Sequence, residues 1–464
     1  MLFSSIPFLY YFLPAVLIVY FLVPRCLKNT VLLLSSLFFY GWGEPRYLFL
    51  MMATIALFYG CGLAIGRCRE QRWKKFWLVT SIVISIGLLG IFKYADFFIS
   101  SFNAVFGLDA ALLRLALPIG ISFYTFQSLS YTIDVYRGHV AVQKNPITFG
   151  AYVVLFPQLI AGPIVRYIDV ERELQTRTHS LENFVLGLRR FLVGLGKKIL
   201  IANLFGELCS IFRASDEKSV LFFWIYGIAF MLHIYFDFSG YSDMAIGLGR
   251  IFGFHFIENF QYPYLSRSIA EFWRRWHMSL GSWFRDYVYI PMGGNRVSRG
   301  RWVFNILTVW MLTGLWHGAS WNFVLWGLFF AAFLLMEKWI PAIGKMPDWL
   351  KHVYVLLVVM VSFMLFNAEN LTQAGQDILG LVGIGGVPLV TLETLYYLRS
   401  YGVLFLAGIF GATPVLRDFC LRISQGRYEK AVALVEPLVM AALLLLCTAY
   451  LVDGSFNPFL YFRF

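Results

Sequence analysis

Charge is what this sequence lacks. Asp, Glu, Lys and Arg supply 14% of its 464 residues, against roughly a quarter in soluble domains. A soluble chain of this length needs far more polar surface to cover its cores, so an ordinary soluble enzyme is excluded, as are disordered and collagen-like chains. Cysteine is sparse too. The six cysteines, at 26, 61, 68, 209, 420 and 447, form no C-x-x-C pair, which argues against a disulfide framework or zinc site and for buried, inert thiols. No H-E-x-x-H helix and no Asp-x-Asp-x-Asp-Gly loop occurs, so no metal site is expected. No G-x-S-x-G elbow surrounds Ser320. No basic run stands apart from the apolar segments, so the net charge of +12 does not read as nucleic-acid binding. Met1–Phe8 lacks the basic start of a secretory signal, and a retained first span with its N-terminus outside is expected.

What is present is apolar: 59% of residues are hydrophobic and 19% aromatic. Spans are expected near 6–24, 30–43, 47–66, 76–92, 115–135, 199–212, 219–237, 302–316, 321–336, 352–366, 401–416 and 431–452, some of them shorter than the ~20 residues of a straight crossing. The fold class is therefore an all-α polytopic membrane protein of 10–12 spans, with residues 1–464 as one membrane domain. Loop charge supplies an orientation. Residues 67–75 hold five basic and one acidic side chain, and 166–198 and 265–301 hold seven basic each, whereas 367–400 has three acidic and one basic. The positive-inside rule then puts the basic loops in the cytoplasm and both termini outside. Two stretches fit no simple crossing: Ala151–Arg166, broken by Pro157 and Gly162-Pro163, and residues 255–300. Irregular backbone at membrane depth must be buried or line a wet cavity, so a funnel or pocket is expected.

Three segments carry candidate chemistry. In Glu271–Arg296, Trp273, Trp276, His277, Leu280 and Phe284 share one stripe at helical spacing, which predicts an amphipathic interfacial helix. It serves either as an anchor in the headgroups or as a cytosolic face whose Arg274, Arg275, Arg285 or Arg296 meets an anionic ligand such as cofactor phosphates. Gly293-Gly294 permits a tight turn there. In Leu312–Trp321 the flanking segments Trp302–Trp316 and Trp321–Met336 rise only about 22–24 Å, predicting a short hairpin with His317 at membrane depth beside its apex. A buried ionisable residue is a functional candidate, and histidine is a competent base at neutral pH; a neutral, hydrogen-bonded structural histidine is the alternative. The third segment contains His233, Asp237 and Asp243, and its spacing favours a buried hydrogen-bonding network over catalysis.

Together these segments resemble the membrane-bound O-acyltransferase family, in its alginate O-acetyltransferase branch. The matching stretches are Leu117–Arg137, Phe156–Val165, Tyr235–Gly247, Glu271–Arg296, Gly314–Ala319 and Phe456–Phe464, and the combination of EFWRRWHMSL with GLWHGA is specific. The resemblance implies a ring of helices with short, re-entrant and interfacial elements around a central funnel. It implies two characteristic histidines, His277 and His317, the latter catalytic. It also implies no permanently bound cofactor, with acetyl-CoA as cytosolic donor; the residues themselves make Arg274, Arg275, Trp276, Asn295 and Arg296 the candidate contacts for that donor. The acetyl group would cross a bacterial cytoplasmic membrane to an SGNH-type extracytoplasmic acetyltransferase and then a polysaccharide, with the aromatic tail Phe456–Phe464 as a candidate anchor for that partner. Two rivals stay open: D-alanyl transfer to a cell-wall polymer from a carrier protein, and a proton-coupled transporter or flippase, against which the absence of paired repeats counts.

Overall fold

Long apolar runs leave the backbone no partner but itself in hydrocarbon, and this chain answers with helices. The computed structural model describes residues 1–160, 162–425 and 428–454; the tail Phe456–Phe464 and Ala161 lie outside the described residues. Among those described, every regular element is helical. Among the described residues, six helices are long and apolar enough to cross a membrane: Pro45–Arg67, Gln71–Phe106, Val220–Ile251, Trp321–Trp339, Asp348–Asn367 and Glu429–Asp453. The bent pair Leu392–Gly411 and Val415–Ser424 brings the number to as many as seven. This is a multi-pass membrane protein. The other expected spans fall largely on helices, but Lys28–Gly43 and Ile121–Arg137 have 16 and 17 residues, short of a straight crossing, while 199–212 lies in a helix that runs unbroken through Lys197–Ala202 into Asn203–Ala214. Of the six thiols, Cys26 and Cys420 are exposed rather than buried, because each sits on a short helix outside the packed core.

The chain divides into two compact units. The first comprises Met1–Phe191 and Tyr241–Ile257. An aromatic core fills it, with Phe3 4.9 Å from Phe8, Phe12 5.3 Å from Phe156 and Phe39 5.6 Å from Phe156 between ring centroids; such tilted and edge-on pairs add to the apolar area they bury. The expected irregular stretch is here. Helix Pro146–Val154 starts at Asn145, whose side chain accepts from the Ile147 and Thr148 amides, and the turn Phe156–Leu159 follows. Gln158 is wholly buried and donates its amide to the Tyr152 carbonyl at 2.6 Å, so the broken backbone is sheltered by protein. Asp243 pairs with Arg190 at 2.9 Å.

The second unit comprises Leu192–Gly240 and Glu258–Phe464. The Val220–Gly240 part of the long helix carries Asp237, which forms a fully buried ion pair with Lys198 at 2.6 Å. His233 Nδ1 lies 2.7 Å from the Ala202 carbonyl. The His233–Asp243 stretch is thus divided among separate polar contacts that fasten helices.

Two expectations change in this unit. The hairpin legs are Arg299–His317 and Trp321–Trp339, 19 residues each. Their charged ends stay helical, because Arg, Glu and Lys are good helix formers, so each leg rises roughly 28 Å and is not markedly short. The legs approach very closely: a Cβ on Gly314 would stand 2.1 Å from the Phe323 carbonyl oxygen, and one on Gly327 2.1 Å from that of Trp310. The expected single amphipathic helix is broken instead into Ile269–Arg275 and Met278–Phe284.

Removing one member of a buried ion pair leaves a stranded charge and costs about 3–5 kcal/mol, whereas apolar replacement of both members is often tolerated. Asp237→Asn should therefore lower the thermal unfolding midpoint of the detergent-solubilised protein more than the double variant Lys198→Met/Asp237→Leu does. Equal losses in the two would show that the pair contributes nothing beyond packing.

Candidate active site

The break in the helix is what makes the site. His277 has φ 45° and ψ 52°, a left-handed conformation that a residue with a Cβ adopts at a cost and keeps only where its surroundings enforce it. Asn259 supplies the enforcement. Its carbonyl accepts from the Met278 amide at 3.0 Å, and its side-chain oxygen lies 2.9 Å from Ser279 Oγ and 3.1 Å from His277 Nδ1. An amide oxygen only accepts, so the proton sits on Nδ1 and the lone pair on Nε2. Burial holds the His277 imidazole well below its usual titration range, and the neighbouring His317 pushes the same way. His277 is therefore a neutral imidazole.

His317 ends its helix leg at the hairpin turn, where Gly314 lets the legs touch. The Asn322 amide ties the other leg to the Ala368 carbonyl at 2.8 Å. The His277 and His317 rings face each other with centroids 6.4 Å apart. They share an aromatic wall: Phe238 is 4.7 Å from His277, and Trp326 and Phe366 are 5.1 and 5.4 Å from His317, while Trp316 touches both histidines. His277 is 1% and His317 6% exposed. Two buried imidazoles in an apolar wall form a dry site in which proton transfer and charge stabilisation are strengthened.

A cavity of about 450 Å³ reaches His277. Its walls include Trp273, Leu280, Phe284, Ile306 and Trp310, and its charged groups are Arg274 and Arg285. The remaining sequence candidates lie elsewhere. Arg275 pairs with Glu271 at 2.8 Å. Trp276 is buried against Phe260, Phe272 and Phe363 at 5.0–5.5 Å. Asn295 and Arg296 are exposed on the glycine turn and do not line the cavity. That turn takes φ +99° at Gly293 and +56° at Gly294; buried Asn305 braces it by donating to the Met292 and Gly294 carbonyls at 3.2 and 3.1 Å. Sequence reasoning missed Asn259, Asn305 and the aromatic wall. Asn305 carried a signal, as a polar residue inside an apolar leg; Asn259, in an irregular loop, carried none.

The family model described as membrane-bound O-acyltransferase matches residues 137–372, which include both histidines and the cavity. The chain belongs to the membrane-bound O-acyltransferase family. It is an acyltransferase. It is 39% identical to a probable alginate O-acetylase of Azotobacter vinelandii over the whole of both chains. It is 40% identical to a protein of the same name from Pseudomonas aeruginosa, over 93% of this chain and 85% of that one. A peptidoglycan O-acetyltransferase of Helicobacter pylori is 32% identical over 100% of this chain and 98% of its own.

Asn259→Ala removes the acceptor that orients His277. The loss of one hydrogen bond worth about 1 kcal/mol should lower kcat for acyl transfer about fivefold with the folded yield unchanged. An unaltered kcat would mean that backbone packing alone sets the ring.

Proposed function

We infer that this acyltransferase is an O-acetyltransferase of a bacterial cytoplasmic membrane, acting as one catalytic domain. In this reading it takes acetyl groups from cytosolic acetyl-CoA and delivers them for O-acetylation of an extracytoplasmic polysaccharide. The observation that carries this reading is the pair of facing buried histidines, of which His277 lines a cavity bearing Arg274 and Arg285. The names of the relatives, alginate O-acetylases and a peptidoglycan O-acetyltransferase, support acetyl as the group and a glycan as its destination.

The geometry suits direct transfer. The two arginines hold phosphates of the donor by charge-assisted hydrogen bonds, and the apolar walls take the rest of the donor arm toward His277. His317 removes the proton of an acceptor hydroxyl as its oxygen attacks the thioester carbonyl. The C–S bond breaks, and His317 returns the proton to the departing thiolate, so acid and base roles balance over one turnover. The Nε2 lone pair of neutral His277 orients the donor by accepting from an amide N–H of its pantetheine arm. The acceptor is a hydroxyl of an SGNH-type acetyltransferase docked on the outer face, which passes the acetyl group to the polysaccharide.

His317→Ala should reduce acetyl transfer by roughly 10²–10⁴-fold without loss of folded protein, measured with radiolabelled acetyl-CoA and purified enzyme. Near-normal turnover would make the residue structural. Arg274→Gln and Arg285→Gln should each raise KM for acetyl-CoA about tenfold, the worth of one charge-assisted hydrogen bond, and leave kcat nearly unchanged. Arg275→Gln and Arg296→Gln should do neither. Unchanged KM in the first two variants would leave the cavity without a donor role.

A further inference from the structure

The first unit contains a second polar feature, remote in sequence from the histidines. Lys28 opens helix Lys28–Gly43 and is only 9% exposed. Its ammonium lies over the rings of Tyr20 and Phe21, 4.6 and 5.2 Å from their centroids. Among the described residues no carboxylate pairs with it. Arg177 approaches the same Tyr20 ring at 5.9 Å and stacks on Phe254 at 4.6 Å. Its Nη2 donates to Asn29 Oδ1 at 2.7 Å; its Nη1 is buried and has no hydrogen-bond partner among the described residues. Arg25 is exposed one turn before Lys28. The acid closest in sequence to Arg177, Glu173, is engaged by the backbone amide and Nδ1 of His255 at 3.0 and 2.6 Å. Cation–π contact offsets part of the desolvation of such cations, but a buried guanidinium nitrogen with no acceptor remains costly.

An apolar groove begins one helical turn from Lys28. It runs between helices Leu13–Leu22 and Lys28–Gly43, walled by Phe12, Val16 and Val19 on the first and Val31, Leu34 and Phe38 on the second, and encloses about 670 Å³. From Val31 to Trp42 it follows the second helix for roughly 16 Å at 1.5 Å per residue. That is the depth of one leaflet, half of a hydrocarbon core of ~30 Å. A basic recess at one end of a leaflet-deep apolar groove matches one kind of molecule. We propose that this helix pair holds one anionic phospholipid, its phosphate against Lys28 and Arg177 with Arg25 at the rim, and one acyl chain along the groove. Basic pockets between membrane helices bind anionic headgroups in this way, and the Arg177 fork supplies the free donor that phosphate oxygens accept.

The full chain, purified in mild detergent, tests this by native mass spectrometry and by thermal unfolding in mixed micelles. Phosphatidylglycerol, phosphatidylethanolamine and inorganic phosphate are added separately. The proposal expects one retained anionic phospholipid and a higher unfolding midpoint with phosphatidylglycerol than with either other addition. Lys28→Gln and Arg177→Gln should each bind phosphatidylglycerol about tenfold more weakly, Lys28→Arg should keep it, and Leu34→Trp, which fills the groove, should lose it with the recess intact. Retention of the lipid by both Gln variants overturns the proposal, as does an equal shift with inorganic phosphate alone, which would make the recess a free-phosphate site.

Discussion

Everything chemical in this protein hangs on how closely the two legs of the Arg299–Trp339 hairpin approach. Hydrocarbon offers no hydrophobic force between helices, so association there rests on packing and on small residues that let backbones meet. Gly314 and Gly327 are those residues, each facing a carbonyl oxygen at a distance no side chain would allow. The contact brings His317 against Trp326, on the opposite leg, and the Asn322 tether to Ala368 holds the apex near Phe366. With larger residues at 314 and 327, the legs would separate and the imidazole would lose its wall.

The second constraint is the left-handed turn at His277. A continuous helix from Glu271 onward would carry Trp276 and His277 on one stripe, with both side chains turned to the same side. Breaking it separates their tasks. Trp276 packs into the core with Phe272 and Phe363, while His277 turns toward His317 and the cavity. Four acceptor contacts at Asn259 offset the backbone cost. Strain of this kind persists where neighbours over-determine it, and here they are side-chain and backbone groups of one short loop.

Buried charge is handled in two ways. In the second unit Lys198 and Asp237 satisfy each other directly, which fastens the helical segment Lys197–Ala202 to the long helix. In the first unit Lys28 is left to aromatic faces, and Arg177 to a ring and the Asn29 side chain. The contrast is informative because in apolar surroundings a cation is expensive unless paired, and a cation held by rings alone still presents its charge to whatever anion can reach it.

The amino-acid pattern alone determined the class, the helices and the two histidines. Scarce charge and long apolar runs leave no alternative to membrane helices, and the expected segments fall largely on helices because hydrogen bonding within the segment is the only local solution in lipid. The motifs EFWRRWHMSL and GLWHGA carried His277, His317 and the family. Tertiary structure decided which neighbouring residues join them. Sequence reasoning spread five candidate donor contacts along residues 274–296, but only Arg274 lines the cavity, joined by Arg285, because Glu271 engages Arg275, the core buries Trp276 and the glycine turn carries Asn295 and Arg296 outward. Asn259 lies 18 residues from His277, and no local periodicity records a hydrogen bond across that distance. Periodicity describes one element at a time, whereas a site forms where separate elements meet.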